Sequence, residues 1–436
     1  MRKTPALCAL FSLGFLFACG SQTISGLDNT DQSLSDAVSG RGGIPGPNKP
    51  APTAIPVGPV LPTDGPSVTP TPTPTATPTG NPSGGWSATG SLATGRAQAE
   101  AVRLGTKVLV AGGTAYIGSL VALSSSEVFD PTTASWNSAG TMFSPRRYHK
   151  LTALSDSKAL VTGGTDPNVV LKSAEIYTSG SGWTPTADMS IVRFRHAAVL
   201  LPTNGKVLVA GGQTAGGSLT KSTEIFDPQT SAWSPAAPMN FARGYFDLFY
   251  LTKSKKVLAV GIAVDASNAP RLETEIYDPE TNQWTVVGSL HVFHLYGAAV
   301  VLDDHRVLVA GGQSPVSPYY STTVTEIFDS DTLTWTQLTS PMPRSRYSFA
   351  MALLGSGKVL SAGGLYNESG CQRCFTNQAE IFDPQTLLWT STQNMLVGSS
   401  YDHTMTSLAD GGVLAAGGEA NGVYLFWRDA AIFHEP

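Results

Sequence analysis

Lys206-Val-Leu-Val-Ala-Gly-Gly212 is the stretch that decides the fold. An apolar run closed by two glycines recurs at Gly112-Gly113, Gly163-Gly164, Gly211-Gly212, Gly311-Gly312, Gly363-Gly364 and Gly417-Gly418. Val257-Leu-Ala-Val-Gly261 fills the one gap, with Ile262 in place of the second glycine. The first glycines stand at 112, 163, 211, 261, 311, 363 and 417, so the steps are 51, 48, 50, 50, 52 and 54 residues. Self-similarity at a fixed period of this size marks a repeat architecture.

One period carries four strand signals. Around Gly211 they are His196-Ala-Ala-Val-Leu-Leu201, Lys206-Val-Leu-Val-Ala210, Ser222-Thr-Glu-Ile-Phe-Asp227 and a run starting at Trp233. Each is short, rich in β-branched or aromatic residues, and bounded by turn residues. No sustained helical period appears, so the repeat region reads as all-β. The third strand ends in a turn signal at Asp130-Pro131, Asp227-Pro228, Asp278-Pro279 and Asp383-Pro384, with Asp329-Ser330 as a variant. Asp bonds its own following backbone there, and Pro presets φ. Trp136, Trp233, Trp284, Trp335 and Trp389 each follow such an Asp by six residues. Trp183 follows Thr178 by five.

The ordered set of apolar run, Gly-Gly, Glu-x-aromatic-Asp-Pro and Trp resembles the kelch repeat over residues 86 to 434. The resemblance implies a β-propeller with one four-stranded blade per repeat. Seven glycine strands and seven third strands, with Phe129, Tyr177, Phe226, Tyr277, Phe328, Phe382 and Phe433, give seven blades. The seventh Trp is Trp86, which has no blade upstream. The segment around Trp86–Thr89 is therefore expected to complete the last blade as its outer strand and remove an open sheet edge.

The front of the chain reads differently. Arg2-Lys3 precedes an apolar run from Ala6 to Ala18, the length of a signal-peptide core and too short for a membrane span. Leu16-Phe17-Ala18-Cys19 resembles a bacterial lipobox, with Phe17 a departure; the resemblance implies lipidation of Cys19 after removal of residues 1–18. Gly20-Ser21 lacks the Asp of inner-membrane retention, so an outer-membrane anchor is expected. Residues 19–85 are rich in Pro, Thr, Gly and Ser and read as an extended, disordered stalk. The organisation expected is lipid anchor, stalk and a propeller over 86–436.

Charged residues make up 14% of the 436, against a typical value of about 25%. Ser and Thr do the solvating instead, as suits an exported β-protein. The formal net charge of −5 provides no basic field for nucleic acid. Cys8 goes with the signal peptide and Cys19 with the lipid, leaving Cys371 and Cys374. A local disulfide is expected in the envelope, since a zinc site needs two further ligands that the neighbouring sequence lacks.

In kelch propellers the first strand of each blade lines the central channel, and the glycines end the second. The resemblance thus puts the start of strand one and the post-glycine loops on one face. Those loops, about 114–124, 165–172, 213–222, 262–272, 313–323 and 365–378, are the variable material, and variable loops on a rigid scaffold are where binding sites lie. Arg96, Arg146, Arg193, Arg243 and His294 recur near the start of strand one; Ser345, flanked by Arg344 and Arg346, and Ser400 follow in the last two copies. Such a ring of cations at the channel mouth, Arg346 included, suits a carboxylate, sulfate or phosphate. Tyr116, Tyr319, Tyr320, Tyr366, Phe375 and Tyr424 add stacking surfaces. A second reading stays open. Glu127, Glu175, Glu224, Glu275, Glu326 and Glu380 also recur once per blade, and a carboxylate between blades needs a cation. His149, His196 and His403 share one repeat slot, either filling it or offering a base or metal ligand.

The functional expectation is an envelope-anchored, monomeric, non-catalytic module that binds a glycan or protein through this face, with no cofactor or metal. The alternative is a sugar-modifying enzyme, an epimerase or mutarotase using channel Arg, Glu and His. Copper chemistry like that of galactose oxidase-like kelch proteins needs a Tyr linked to a Cys, which two cysteines three apart in one loop do not suit.

Overall fold

The structure, a computed structural model, describes residues 85–303, 305–315, 320–368, 371–396, 401–420 and 425–435. The signal segment 1–18, Cys19, almost all of the stalk, Tyr319 and Tyr424 lie outside them. Every regular element described is a β-strand.

Seven sheets account for the repeats, and the fold is a seven-bladed β-propeller. Blade three is representative: Ala197–Leu201, Lys206–Ala210, Thr223–Asp227 and Ala232–Ala236 pair antiparallel in that order. The first strands of consecutive blades touch one another all the way round, blade seven meeting blade one. They form the inner wall, and the Trp-bearing fourth strands form the rim. The seventh sheet takes Gly85–Ala88 as its outer strand, with Trp86 opposite Phe433. Gly85 pairs with His434, whose imidazole lies against Asp410 in the turn after the first strand. The described chain therefore enters on the face opposite the glycine pairs.

The core lies between blades rather than within them. Each of the seven junctions has its own apolar cluster. At the junction of blades three and four, Leu208 and Ala210 pack with Leu248, Val257 and Ala259. At the ring closure, Leu408, Leu414 and Ile432 pack with Val108, Val110 and Phe129. A flat sheet with two apolar faces can bury both only if a neighbour stands on each side, and a closed ring supplies that for every blade.

Each repeated residue has a local task. The third-strand aromatic and the fourth-strand Trp are directly opposite, with ring centroids 5.0–5.4 Å apart, from Phe129–Trp136 to Trp86–Phe433. Several indoles also reach back one blade: Trp183 donates to Ser126 Oγ at 2.8 Å, and Trp335 to Thr274 Oγ1 at 3.0 Å. The glycines make the junctions possible. Gly112 has φ +63°, and a Cβ on it would stand 2.5 Å from the carbonyl oxygen of Arg146 in the next blade. Gly113 N–H donates to that same carbonyl at 2.9 Å, and Gly418 N–H closes the ring on Arg96 O at 2.8 Å. Blade four departs where Ile262 replaces the second glycine. The chain stays extended there, and Lys256–Val264 pairs with Ala242–Leu251 through a bulge.

Candidate functional site

The link from each fourth strand to the next first strand crosses the glycine face. A buried Leu or Met (Leu92, Met142, Met189, Met239, Leu290, Met342) opens it, and four residues later comes the repeated cation. The structure corrects the placement of that cation. Arg96, Arg146, Arg193, Arg243 and Arg346 are 0–1% exposed, and none is presented to ligand at the channel mouth. Each guanidinium is bound to the third-strand Glu of its own blade: Arg96–Glu127 at 2.7 Å, Arg146–Glu175 at 2.6 Å, Arg193–Glu224 at 2.7 Å, Arg243–Glu275 at 3.1 Å, and Arg346–Glu380. Arg346 rather than Ser345 fills the sixth slot. His294 fills the fifth, at 3.1 Å from Glu326. The physical reason is the between-blade carboxylate: buried, it needs a cation, and the Arg fork also donates to the first-glycine carbonyl, at 2.8 Å for Arg146 to Gly163 O. In the last blade Ala431 removes the carboxylate.

One of these networks is incomplete. In blades one to five the backbone N–H just after the buried Leu or Met donates to Glu Oε2: Ala93 at 2.7 Å, Phe143 at 2.8 Å, Ser190 at 2.7 Å, Asn240 at 2.6 Å and His291 at 3.0 Å. The sixth link has Pro343 there, which has no N–H. Glu380 Oε2 is buried without a partner among the described residues. Burial pushes the Glu380 carboxyl above its ordinary range, against the pull of Arg346 and Arg344.

The histidines are structural in the same way. His149 and His196 are 1% exposed and His403 is buried; Phe246 and Phe349 occupy the equivalent slot in blades four and six. Burial, reinforced by Arg146 and Lys150, pushes His149 down to about 3, so it is neutral.

What does surround the channel mouth is the residue just before that slot. Gln98, Tyr148, Arg195, Tyr245, Tyr296, Ser348 and Asp402, one per blade, all have left-handed backbones with φ between 50° and 57°. None is glycine. They form a collar whose backbones are tied across blades: Arg195 N–H to Tyr148 O at 2.9 Å, Tyr245 to Arg195 at 3.2 Å, Ser348 to Tyr296 at 2.8 Å, Asp402 to Ser348 at 3.2 Å and Gln98 to Asp402 at 3.1 Å. The side chains are half-buried. The Arg195 guanidinium lies between two rings, 4.2 Å from the Tyr148 centroid and 4.3 Å from that of Tyr245, and Tyr245 meets Tyr296 edge-on at 5.2 Å. Gln98 Nε2 donates to Asp402 at 3.3 Å. Below the collar, Lys150 lies 3.3 Å from Glu100 and 3.2 Å from Asp247, a carboxylate two blades away. Burial opposes the Lys150 charge, but the two carboxylates outweigh it and hold its pKa above the ordinary value.

The post-glycine loops rise around this collar. Tyr116 and Tyr320 are exposed, as are Ile117, Val169 and Leu425. Tyr366 is half-buried under the Arg344 guanidinium, 4.1 Å from its centroid. Cys371 and Cys374 form a disulfide, and the Phe375 ring beside it meets that of Tyr401 at a tilt, with centroids 5.7 Å apart.

A model of the kelch motif matches residues 95–143, and one of the β-propeller of tRNA wybutosine-synthesizing protein 4 matches residues 143–326. The chain is a kelch-repeat β-propeller. Kelch-like protein 25 of Xenopus tropicalis is 29% identical over 57% of this chain and 41% of its own length. Beta-scruin of Limulus polyphemus is 27% identical over 54% of this chain and 27% of its own length. The chain thus spans less than half the length of these relatives. Among solved structures, a copper-bound fungal alcohol oxidase superposes with a TM-score of 0.65 at 19% identity, covering 81% of this chain and 77% of that one, which is a likeness of fold. Against the constant elements of this kelch propeller, the collar and loops are where its blades differ from one another.

Proposed function

We propose that this kelch propeller is a non-catalytic binding module, held at the cell envelope through Cys19, that receives a glycan or protein ligand on the collar and the loops around it. The observation carrying this reading is the collar. Seven successive blades keep a non-glycine residue in a left-handed conformation at the channel mouth, each at a cost of roughly 1–2 kcal/mol. Non-glycine left-handed residues also recur in the turns before five fourth strands, at Ala134, Ser231, Asn282, Leu333 and Leu387, so what supports recognition is the change of side-chain chemistry round the collar. The exposed Tyr116, Ile117, Val169, Tyr320 and Leu425 extend the same face with apolar surface. Gly85 pairs with His434 on the face opposite the collar.

The repeated Arg, Glu and His of the enzymatic alternative are packed between blades, and among the described channel residues Glu100, Lys150 and Asp247 pair with one another, which favours the binding reading over it. The test is display of the full-length protein on an array of envelope and host glycans, with crosslinking to intact envelopes in parallel. Replacing Tyr116, Tyr320 and Tyr366 together by Ala is expected to abolish retention. Retention unaffected by that triple change, or absent from the wild type in both formats, would remove the reading.

A further inference from the structure

Blade six carries the only two cysteines of the propeller, and they stand close together in its post-glycine loop. That loop is a short hairpin: Leu365–Glu368 pairs with Cys371–Phe375, and the disulfide joins two residues of the second strand. A crosslink stabilises a fold mainly through the length of chain it closes off in the unfolded state. This one closes a sequence separation of 3, and the other six blades stand without any. The hairpin also has anchors of its own. Arg373 N–H donates to Asn367 Oδ1 at 2.8 Å, Asn367 N–H donates to Ser321 Oγ at 3.1 Å, and Leu365 packs beneath with Tyr347 and Tyr401. The bridge is therefore not what holds the blade together. Its two ends differ. Cys371 is exposed, whereas Cys374 is 7% exposed. Cys371 is opposite Glu368 across the hairpin; Cys374 is opposite Tyr366, whose ring centroid lies 4.1 Å from the Arg344 guanidinium carbon. Arg373, between the two cysteines, holds a left-handed backbone with φ 58°. Exposure and local strain mark labile disulfides rather than structural ones.

We infer that Cys371 and Cys374 form a reversible thiol–disulfide exchange site whose partner is a dithiol oxidoreductase, with Cys371 as the sulfur attacked and Cys374 as the sulfur that leaves. This stands on the hairpin alone and does not depend on what the collar binds. A thiolate of the reductant attacks Cys371 Sγ. A bond forms between those two sulfurs as the Cys371–Cys374 bond breaks, and the electron pair goes to Cys374 Sγ. The second thiol of the reductant then loses its proton to solvent, attacks its own partner sulfur in the mixed disulfide and expels the Cys371 thiolate. Two electrons pass to the propeller, both cysteines take protons from solvent, and the reductant is left as a disulfide. Access selects the sulfur attacked, and a nearby cation favours the sulfur that leaves as thiolate. The Cys374 thiolate forms opposite the ring that carries Arg344; a thiolate leaving from Cys371 would form opposite Glu368. Reduction keeps the Leu365–Phe375 pairing and the Asn367–Ser321 bond and releases Arg373 from the bridged ring. The change is confined to the outer end of the hairpin beside Tyr366, on the glycine face.

The test begins with the oxidised full-length protein in dithiothreitol at pH 7, quenched by alkylation and read by peptide mass mapping, so that only Cys371 and Cys374 are scored. Both are expected to become alkylated while the propeller stays folded, and the urea midpoint of the reduced protein is expected to match that of the oxidised one. Reduction that occurs only in urea, or a midpoint that falls on reduction, would make the bridge structural and overturn the inference. The second arm mixes the oxidised protein with a thioredoxin whose resolving cysteine is replaced by Ser. The trapped mixed disulfide is expected on Cys371 at least about tenfold over Cys374, as access to the sulfur dictates. Trapping on Cys374, or on neither while dithiothreitol still reduces the pair, would overturn the assigned roles or the protein partner respectively. The third arm is R344Q, which leaves the sulfurs and their exposure alone. It is expected to slow reduction about threefold or more by removing the cation near the departing thiolate, with no change in the urea midpoint. An unchanged rate would sink the choice of Cys374 as the leaving sulfur.

Discussion

Replacing Pro343 by Ser is expected to stabilise this protein. Five blades satisfy Glu Oε2 with a backbone N–H at 2.6–3.0 Å, and the sixth presents a proline at that position. The Pro343 side chain is exposed, so the exchange disturbs no packing. A hydrogen bond to a charged group contributes about 1.5–3 kcal/mol, and losing the rigidity of proline costs about 0.4–1, so the net gain is about 1–2 kcal/mol. The sign with pH follows from the Glu380 carboxyl. Its folded pKa is raised, so its ionisation works against folding, and stability is lost as pH rises through that raised value. A donor at 343 favours the ionised form and cancels that loss. The gain should be present at pH 7 and vanish near pH 4, close to the unfolded pKa of about 4.3. Urea unfolding followed by Trp fluorescence at the two pH values measures it. P343A carries the same N–H without the hydroxyl and should behave alike. A midpoint at pH 7 that stays put or falls in both variants would refute the Oε2 deficit, and an equal gain at pH 4 would refute its electrostatic origin.

Two further outcomes follow from the junctions. G211A is expected to cost several kcal/mol, because its Cβ would lie 2.7 Å from both Arg243 O and the Phe246 ring at φ +62°. G180A, at φ +78° with nothing within 4 Å, should lose only the backbone preference of roughly 1–2 kcal/mol, and equal losses in the two would disprove the close-approach explanation. H149F is expected to reduce acid sensitivity. Buried His149 stays neutral to about pH 3 while the unfolded chain protonates near 6.5, so the wild type loses stability as pH falls between those values. Phe, which already fills this slot as Phe246 and Phe349, does not titrate, and unfolding profiles that remain parallel from pH 7 to pH 4 would count against this.

The blades were legible because each repeated residue answers a local demand that the sequence cannot hide. Gly112 must take a positive φ with no Cβ, Asp227-Pro228 must turn, and Trp233 must cover Phe226. The candidate site was not, for the converse reason. Repetition drew attention to Arg146 and its equivalents, and a ring of cations suggests a surface; but the repeated Glu175 made the same residues into interior partners. The positions proposed for recognition are those that do not repeat in chemistry. Gln98, Tyr148, Arg195, Tyr245, Tyr296, Ser348 and Asp402 share only a place in the link and a backbone conformation that side-chain identity does not announce. One signal was available: the three positions between the repeated cation and the start of the strand change character from blade to blade, while the elements on either side of them repeat.

That slot also carries a last consequence. Had the ring required only a sharp bend at the channel mouth, glycine would serve every blade at no steric cost, as it does at 112 and 113. Non-glycine residues stand at all seven places, each against the backbone preference. S348G is therefore expected to raise stability, by up to about 1 kcal/mol, because Ser348 holds φ 50° with a Cβ and its interblade bond to Tyr296 O is made by the backbone. The same change removes a hydroxyl from the collar and should weaken binding of the proposed ligand. Stability and affinity moving in opposite directions is the signature of strain kept for recognition. S348G that loses stability would mean the side chain holds the ring together, and the collar would then be one more piece of scaffold.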